Sequence, residues 1–298
     1  MSDVLKTLSA EMAAAVEAAA ASLVRVEARK RLSATGIIHS ADGLIITANH
    51  VVERDENVRV GLPNGTTVPA AVVGRDPSTD IAVLRVSADG LTPAVWDLDN
   101  QARVGHLVLA LGRPENTVQA TLGVISALGE GWRTAMGGQI DHYVQTDVTM
   151  YPGFSGGALL SASGYIVGLN SSALARGVSV TIPAVTVARV AGTLLQHGRV
   201  KQGYLGVSAQ PVRLPASVAS ALNQETGLML LAVEDGSPAA NGGLAMGDTV
   251  VSLDGLSVRV MDDLMALLSG DRVGKHVPVK IVRGGAVHDM TVTIGERS

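Results

Sequence analysis

The chain has 298 residues, 47% of them apolar, and its 23 basic against 27 acidic side chains leave a net charge of −4. That length suggests roughly two domains, with apolar material enough for a core in each. The charge balance, with no Lys/Arg block, gives no electrostatic footprint for nucleic acid, and the absence of cysteine excludes disulfides, thiolate metal sites and cysteine nucleophiles together.

Leu5, Leu8, Met12, Val16, Ala19 and Leu23 recur at three- and four-residue steps, so the spacing predicts an amphipathic helix over residues 1–22. Its polar face is acidic, which favours packing on its own domain over lying on a membrane surface. Asp3 and Glu11 stand where a secretory signal is basic, and Glu17 interrupts the apolar run. No window reaches the ~18 uncharged apolar residues of a membrane span. The chain therefore reads as cytoplasmic, or as periplasmic or otherwise extracytoplasmic if a leader is missing from it.

From Leu23 the period shortens. Apolar runs at 23–26, 36–38, 44–47, 58–62, 67–73 and 81–86 are separated by turn residues such as Asp42-Gly43, Asn64-Gly65 and Asp76-Pro77. The pattern resumes at 104–111, 117–128, 143–146, 158–160 and 165–169. Many short strands between turn signals predict a mainly β protein with two barrels of about six strands. After Ile182-Pro183 the period lengthens, and Val187, Val190, Leu194 and Leu195 predict a helix that Gly198 caps. The polar stretch 197–203 reads as a boundary. Beyond it, Ser237-Pro238 marks a helix start, Met261, Leu264, Met265 and Leu268 mark another helix, and 277–282 with 286–294 read as a hairpin around Gly284-Gly285. The expected domains are the helix 1–22, a β domain 23–197 and an α+β domain 203–298.

One serine stands out. Ser155 has Gly153 before it and Gly156-Gly157 after it, and glycines on both sides permit a turn that pushes a hydroxyl outward and aims backbone N–H groups at one point. A serine nucleophile needs a base and the base needs an orienting acid. Of seven histidines only His50, in LIITANHVV, ends an apolar strand; no second histidine stands near enough for a metal site through Glu53. Asp80 opens an apolar strand, whereas Asp76 lies in the turn and is expected to bond backbone N–H groups there. The order His50, Asp80, Ser155 is that of chymotrypsin-type proteases. The pattern G-x-S-x-G is also met, but a nucleophile elbow needs a helix after the serine, and here a hairpin follows: 158–160, a turn at 161–164, then 165–167.

With those residues in view, Thr35-Gly36-Ile37-Ile38, Thr47-Ala48-Asn49-His50-Val51-Val52, Asp76-Pro77-Ser78-Thr79-Asp80-Ile81-Ala82 and Gly153-Phe154-Ser155-Gly156-Gly157 resemble successive blocks of the HtrA (Deg-type) family, chymotrypsin-fold serine proteases with C-terminal PDZ domains. The resemblance runs from about residue 23 to the C-terminal unit. It implies His50 as general base, Asp80 as its orienting acid, Ser155 as nucleophile and the N–H groups of Gly153 and Ser155 as oxyanion hole. Phe154 and Ala158 replace the usual Asn and Pro, with Phe154 expected to contribute only its backbone to the turn, the chemistry to survive and the turn's packing to differ. In the C-terminal unit, Tyr204-Leu205-Gly206-Val207 resembles the carboxylate-binding loop of a PDZ domain, where a peptide adds as a strand beside 205–209. Leu205, Val207, Leu264, Met265 and Leu268 are expected to form the apolar wall of that groove. Gly242-Gly243, where the family prefers alanine, is expected to weaken the short helix after Ser237.

The function these readings imply is serine endopeptidase action on unfolded or exposed polypeptides in protein quality control, with a domain that binds C-terminal peptide tails. The alternative is a latent or weakly active protease that acts mainly as a chaperone-like peptide binder. Thr149, six residues before the nucleophile, occupies the position where cleavage after Lys or Arg calls for an aspartate; Met150, Tyr151 and Pro152 crowd the wall, so a small apolar pocket is expected. No cofactor or metal is called for. Family members assemble as trimers through N-terminal aromatic residues, none of which precedes Trp96 here, so a homotrimer rests on the resemblance alone.

Overall fold

Met12, Ala15, Val16 and Ala19 of the first helix, α1 (Ser2–Ala20), pack against a large apolar cluster, which is why the apolar spacing runs through it. Leu23, the last member of that spacing, already begins a strand. The computed structural model describes residues 2–30, 32–99, 101–175, 177–201, 203–268 and 272–296, and it divides into two units, Met1–Val200 and Lys201–Ser298.

In the first unit β1 (Leu23–Glu27), β2 (Ala34–Ile38), β3 (Leu44–Ala48), β4 (Val58–Gly61), β5 (Thr67–Asp76) and β6 (Ile81–Val86) close into a barrel in the order β1-β2-β3-β6-β5-β4. β7 (Leu107–Gly112) and β8 (Gln119–Gly129) open a second barrel, and a small hairpin of β9 (Trp132–Arg133) and β10 (Gln139–Ile140) follows. β11 (Tyr143–Thr146), β12 (Ala158–Ser161), β13 (Ile166–Ser171) and β14 (Ser179–Pro183) complete that barrel in the order β11-β14-β13-β12-β7-β8. The sixth strand, β14, is absent from the sequence reading, which took Ile182-Pro183 only as the approach to a helix. β13 also runs two residues past the predicted end at 169.

Period-two alternation sorts the strand residues between two cores. Ile38 and Ile45 face the first barrel's interior with Val24, Val26, Val60 and Leu84. Their neighbours Ile37 and Ile46 face outward, where they meet Leu109, Leu111, Leu160 and Leu169 of the second barrel. β2 and β3 are therefore buried on both faces, and the two barrels share a core. α2 (Ala184–His197) adds Val187, Val190 and Leu194 to that shared core. It ends as expected at Gly198, in the left-handed region at φ 71° with its N–H bonded to the Leu194 carbonyl at 2.8 Å.

The second unit carries β15 (Gly203–Tyr204), β16 (Val207–Arg213), α3 (Ala216–Leu222), β17 (Thr226–Val233), α4 (Pro238–Asn241), β18 (Thr249–Leu253), β19 (Leu256–Ser257), α5 (Met261–Leu267), β20 (His276–Arg283), β21 (Ala286–Thr293) and β22 (Gly295–Glu296). The sheet runs β16-β17-β18-β20-β21, with β19 paired to β18, and leaves β16 at an edge. The Ser237 hydroxyl caps α4 by accepting the Ala240 N–H. Gly242 and Gly243 do not weaken that helix, contrary to expectation, because the helix stops at Asn241. A Cβ at Gly242 would lie 2.6 Å from Val292, and Gly243 adopts φ 79°. The pair is what lets the chain leave the helix against β21.

Candidate active site and peptide groove

β3 delivers His50. The strand ends at Ala48, and a single 3-10 turn, Asn49–Val51, carries the imidazole out of the barrel. The turn before β6 delivers Asp80, which is buried and held at φ 61°, a strained conformation for a non-glycine residue. That strain is secured from the partner turn: the Asn49 N–H donates to the Asp80 carbonyl at 3.0 Å. The Asp80 carboxylate then accepts the His50 backbone N–H on Oδ1 and the ring Nδ1–H on Oδ2, both at 2.8 Å. This doubly anchored imidazole presents Nε2 outward. Asp76 does what its turn position implies: it accepts the Ser78 N–H at 3.0 Å and the hydroxyls of Ser78 and Thr79, with no bond to His50.

Ser155 arrives from the second barrel, on the turn before β12. Its hydroxyl does not bond His50 directly. It shares a 3.0 Å hydrogen bond with the hydroxyl of Ser172, which in turn stands 3.5 Å from His50 Nε2. The preceding residue, Ser171, donates its hydroxyl to Asp80 Oδ2. Neither serine was singled out in the sequence; the only available signal was a pair of hydroxyl residues at the end of a buried strand.

The turn's amides divide into two sets. The N–H groups of Phe154, Gly156 and Gly157 donate to the carbonyls of Tyr151, Asn170 and Phe154 at 2.8–3.0 Å. Those of Gly153 and Ser155 have no hydrogen-bond partner among the described residues. Gly153 and Gly156 adopt φ 92° and 83°, which no L side chain takes without strain. Phe154 gives the turn the different packing that its replacement of Asn implies. Its ring is fully buried in the second barrel with Val108, Ala110, Ile125 and Leu159, against Gly112, whose missing side chain makes the room. The ring anchors the turn from below.

A cleft of about 650 Å³ runs past these groups, lined by His50, Ser155, Ser172, Gly153, Met150, Tyr151 and Pro152, with Arg29, Lys30, Leu32 and Glu53 at its other side. Thr149 is not among the lining residues; its carbonyl accepts the Thr121 hydroxyl at 2.8 Å instead. A larger hollow of about 970 Å³, walled in part by Trp96, Arg103 and Tyr165, is lined by none of His50, Asp80 and Ser155.

In the second unit, β16 pairs among the described residues with β17 alone, and α5 packs against β16, so that open strand edge faces a helix. The loop leading into β16 holds Gly206 at φ 75°. The N–H groups of Leu205 and Gly206 have no partner among the described residues, while their carbonyls accept from Ala239 and Glu234 at 2.9 Å. Of the expected wall, Leu205 and Leu264 are buried in the unit's core, and Val207, Met265 and Leu268 are half-buried. The Tyr204 hydroxyl donates to Glu234.

The trypsin-like peptidase domain family matches residues 34–169, and the PDZ domain family matches residues 203–294. A serine endoprotease of Yersinia pestis has a solved structure that is 30% identical, covering 95% of this chain and 97% of that one, with a TM-score of 0.78. The chain belongs to the HtrA-type serine proteases. The HtrA-type protease AlgW, solved with a decapeptide, is 27% identical over 95% of this chain and 98% of its own, with a TM-score of 0.77. Among curated relatives, probable periplasmic serine endoproteases described as DegP-like are 33% identical in Chlamydia trachomatis, over 91% of this chain and 55% of theirs, and 35% identical in Halomonas elongata, over 90% and 57%. The chain thus spans just over half the length of the curated relatives it matches.

Those names correct the cytoplasmic expectation, since the relatives are called periplasmic. The reading rested on the charges of Asp3, Glu11 and Glu17, which belong to α1, a helix packed on the protease core. Such charges describe a helix's solvent face rather than a destination. Among the described residues no helix of this HtrA-type chain is long and apolar enough to cross a membrane.

Proposed function

We propose that this protein is a serine endopeptidase of unfolded or exposed polypeptides, working outside the cytoplasm as the names of its relatives indicate, with a PDZ domain that reads C-terminal peptide tails. The observation that carries the reading is the His50–Asp80 pair, joined by two 2.8 Å bonds and facing Ser155 across a cleft. Ser155 Oγ attacks the scissile carbonyl while His50 Nε2 takes its proton; Asp80 keeps Nδ1 protonated and stabilises the imidazolium without itself taking the proton. The free N–H groups of Gly153 and Ser155 receive the developing oxyanion, and His50 returns the proton to the leaving amine. Met150, Tyr151 and Pro152 favour a small aliphatic residue before the cut bond. The proposed domains are the helix 1–22, the protease 23–197 and the PDZ domain 203–298.

In the groove, a peptide would lie against the open edge of β16 with its carboxylate on the N–H groups of Leu205 and Gly206. Labelling of Ser155 by an organophosphonate, together with casein cleavage that disappears in Ser155→Ala and His50→Ala, tests the enzyme reading. A latent resting state is the second reading, favoured by one observation: the nucleophile bonds Ser172 and not the base. Sedimentation tests the homotrimer that the resemblance implies.

A further inference from the structure

We infer that Thr35, on β2 of the first barrel, is the positioning residue of the oxyanion hole; this rests on the triad reading above. The two residues whose N–H groups are free, Gly153 and Ser155, are both held by their carbonyls, and one residue holds both. The Thr35 N–H donates to the Ser155 carbonyl at 3.2 Å, and the Thr35 hydroxyl to the Gly153 carbonyl at 2.7 Å. The hydroxyl's direction is decided by its neighbours. Arg113 N–H donates to the same oxygen at 2.7 Å, so the hydroxyl proton is left for the Gly153 carbonyl.

Thr35 is itself fixed to the strand that carries the base. Its carbonyl accepts the Thr47 hydroxyl at 2.7 Å, and Thr47 lies on β3 three residues before His50, with Gly36 as its register partner. The approach leaves no spare room: a Cβ on Gly156 would stand 2.1 Å from the Thr35 carbonyl oxygen and 2.3 Å from the Thr47 hydroxyl. A buried threonine side chain thus ties the turn of one barrel to the histidine strand of the other. It fixes the two peptide units that directly follow the donor N–H groups, Gly153–Phe154 and Ser155–Gly156, and so the Cα atoms on which those groups hinge, without touching substrate. An oxyanion hole works only where its donors are preorganised, so the hydroxyl acts on the transition state more than on substrate binding.

The test uses the full chain with Thr35→Val, which keeps shape and loses the hydroxyl, and Thr35→Ser, which keeps the hydroxyl. With a peptide substrate, Thr35→Val is expected to lower kcat by about 10- to 100-fold with KM within about threefold, a fraction of what losing an oxyanion donor costs. Affinity for a peptidyl boronic acid, whose tetrahedral adduct uses the same donors, is expected to fall in parallel, and Thr35→Ser to restore most of both. Wild-type kcat in Thr35→Val, an equal loss in Thr35→Ser, or a loss expressed only in KM would overturn the inference. Should Thr35→Val not fold, Thr47→Val decides in its place: a several-fold fall in kcat at constant KM supports the tie, and no fall refutes it. Wild-type protein that resists phosphonate labelling would overturn the triad reading, and this inference with it.

Discussion

Ser172 stands between Ser155 and His50, the proposed nucleophile and base. At rest the Ser155 hydroxyl is engaged with Ser172 at 3.0 Å, so attack requires that bond to be exchanged for one to His50. A neutral hydrogen bond is worth about 1 kcal/mol net, equivalent to about fivefold in rate. Ser172→Ala is therefore expected to speed phosphonate labelling of Ser155 by about that factor; a slower rate would make Ser172 a proton relay. Asp80 and Asp76 separate as cleanly. Asp80→Asn holds the wrong histidine tautomer and should cost about 10⁴ in turnover. Asp76→Asn, which removes a carboxylate that bonds Ser78 and Thr79 among the described residues, should lower stability more than rate. Equal losses of turnover would reverse the assignment of the acid. Phe154→Ala empties the floor of the turn that carries Ser155, and large-to-small changes at such sites cost about 3–5 kcal/mol. Chemical denaturation should show that loss, and activity should fall with it because the ring holds the turn that carries Ser155.

At the scale of elements, the alternation of apolar residues made eleven of the twelve barrel strands and α2 legible, and the position of His50 at the end of β3 followed from that alternation. What stayed hidden arises from pairings distant in sequence. β14 is short and lies just before a helix signal, so local pattern gave it to the helix; only its pairing with β11 and β13 makes it a strand. Ser171 reaches Asp80 across 91 residues, a separation no local pattern encodes. Phe154 was legible as an odd residue beside Ser155, yet its burial depends on the gap at Gly112, which only the folded barrel creates. The loop before β16 yields its own prediction. Gly206→Arg adds a side chain where φ is 75° and a Cβ would meet Ser237 at 2.3 Å. The loop cannot then keep its N–H groups aligned. Calorimetry should show a peptide ending in free Val binding wild type with micromolar affinity, its amidated twin weakly, and neither binding the variant. Equal binding of acid and amide would mean the groove does not read a carboxylate.

Across the whole molecule, three carboxylates among the described residues are held below the ordinary Asp range: the exposed Asp42, by bonds from Ser40 and Arg85, and the part-buried Asp141 in the first unit, and Asp248 in the second. In the second unit burial pushes the Asp248 carboxyl up, but hydrogen bonds from Arg283 and the Ala245 N–H more than offset it. In the first unit burial likewise raises Asp141, and bonds from Arg189 and Thr186 reverse the shift. A carboxyl whose folded value lies below its unfolded one takes up its proton first in the unfolded chain as pH falls. The stabilisation is thus complete above about pH 4, the ordinary Asp value, and is lost as pH drops through the lowered ones. The units have separate apolar cores, so the two losses should appear in separate thermal transitions. Asp248→Asn removes a buried, twice-bonded anchor of Arg283 and should lower the second unit's stability by about 2 kcal/mol at neutral pH. It should also flatten that unit's acid dependence while the first unit's transition, which answers to its own carboxylates, stays where it was. Calorimetric scans at neutral and acid pH decide the point: a shift of both transitions in Asp248→Asn would show that the units do not melt independently.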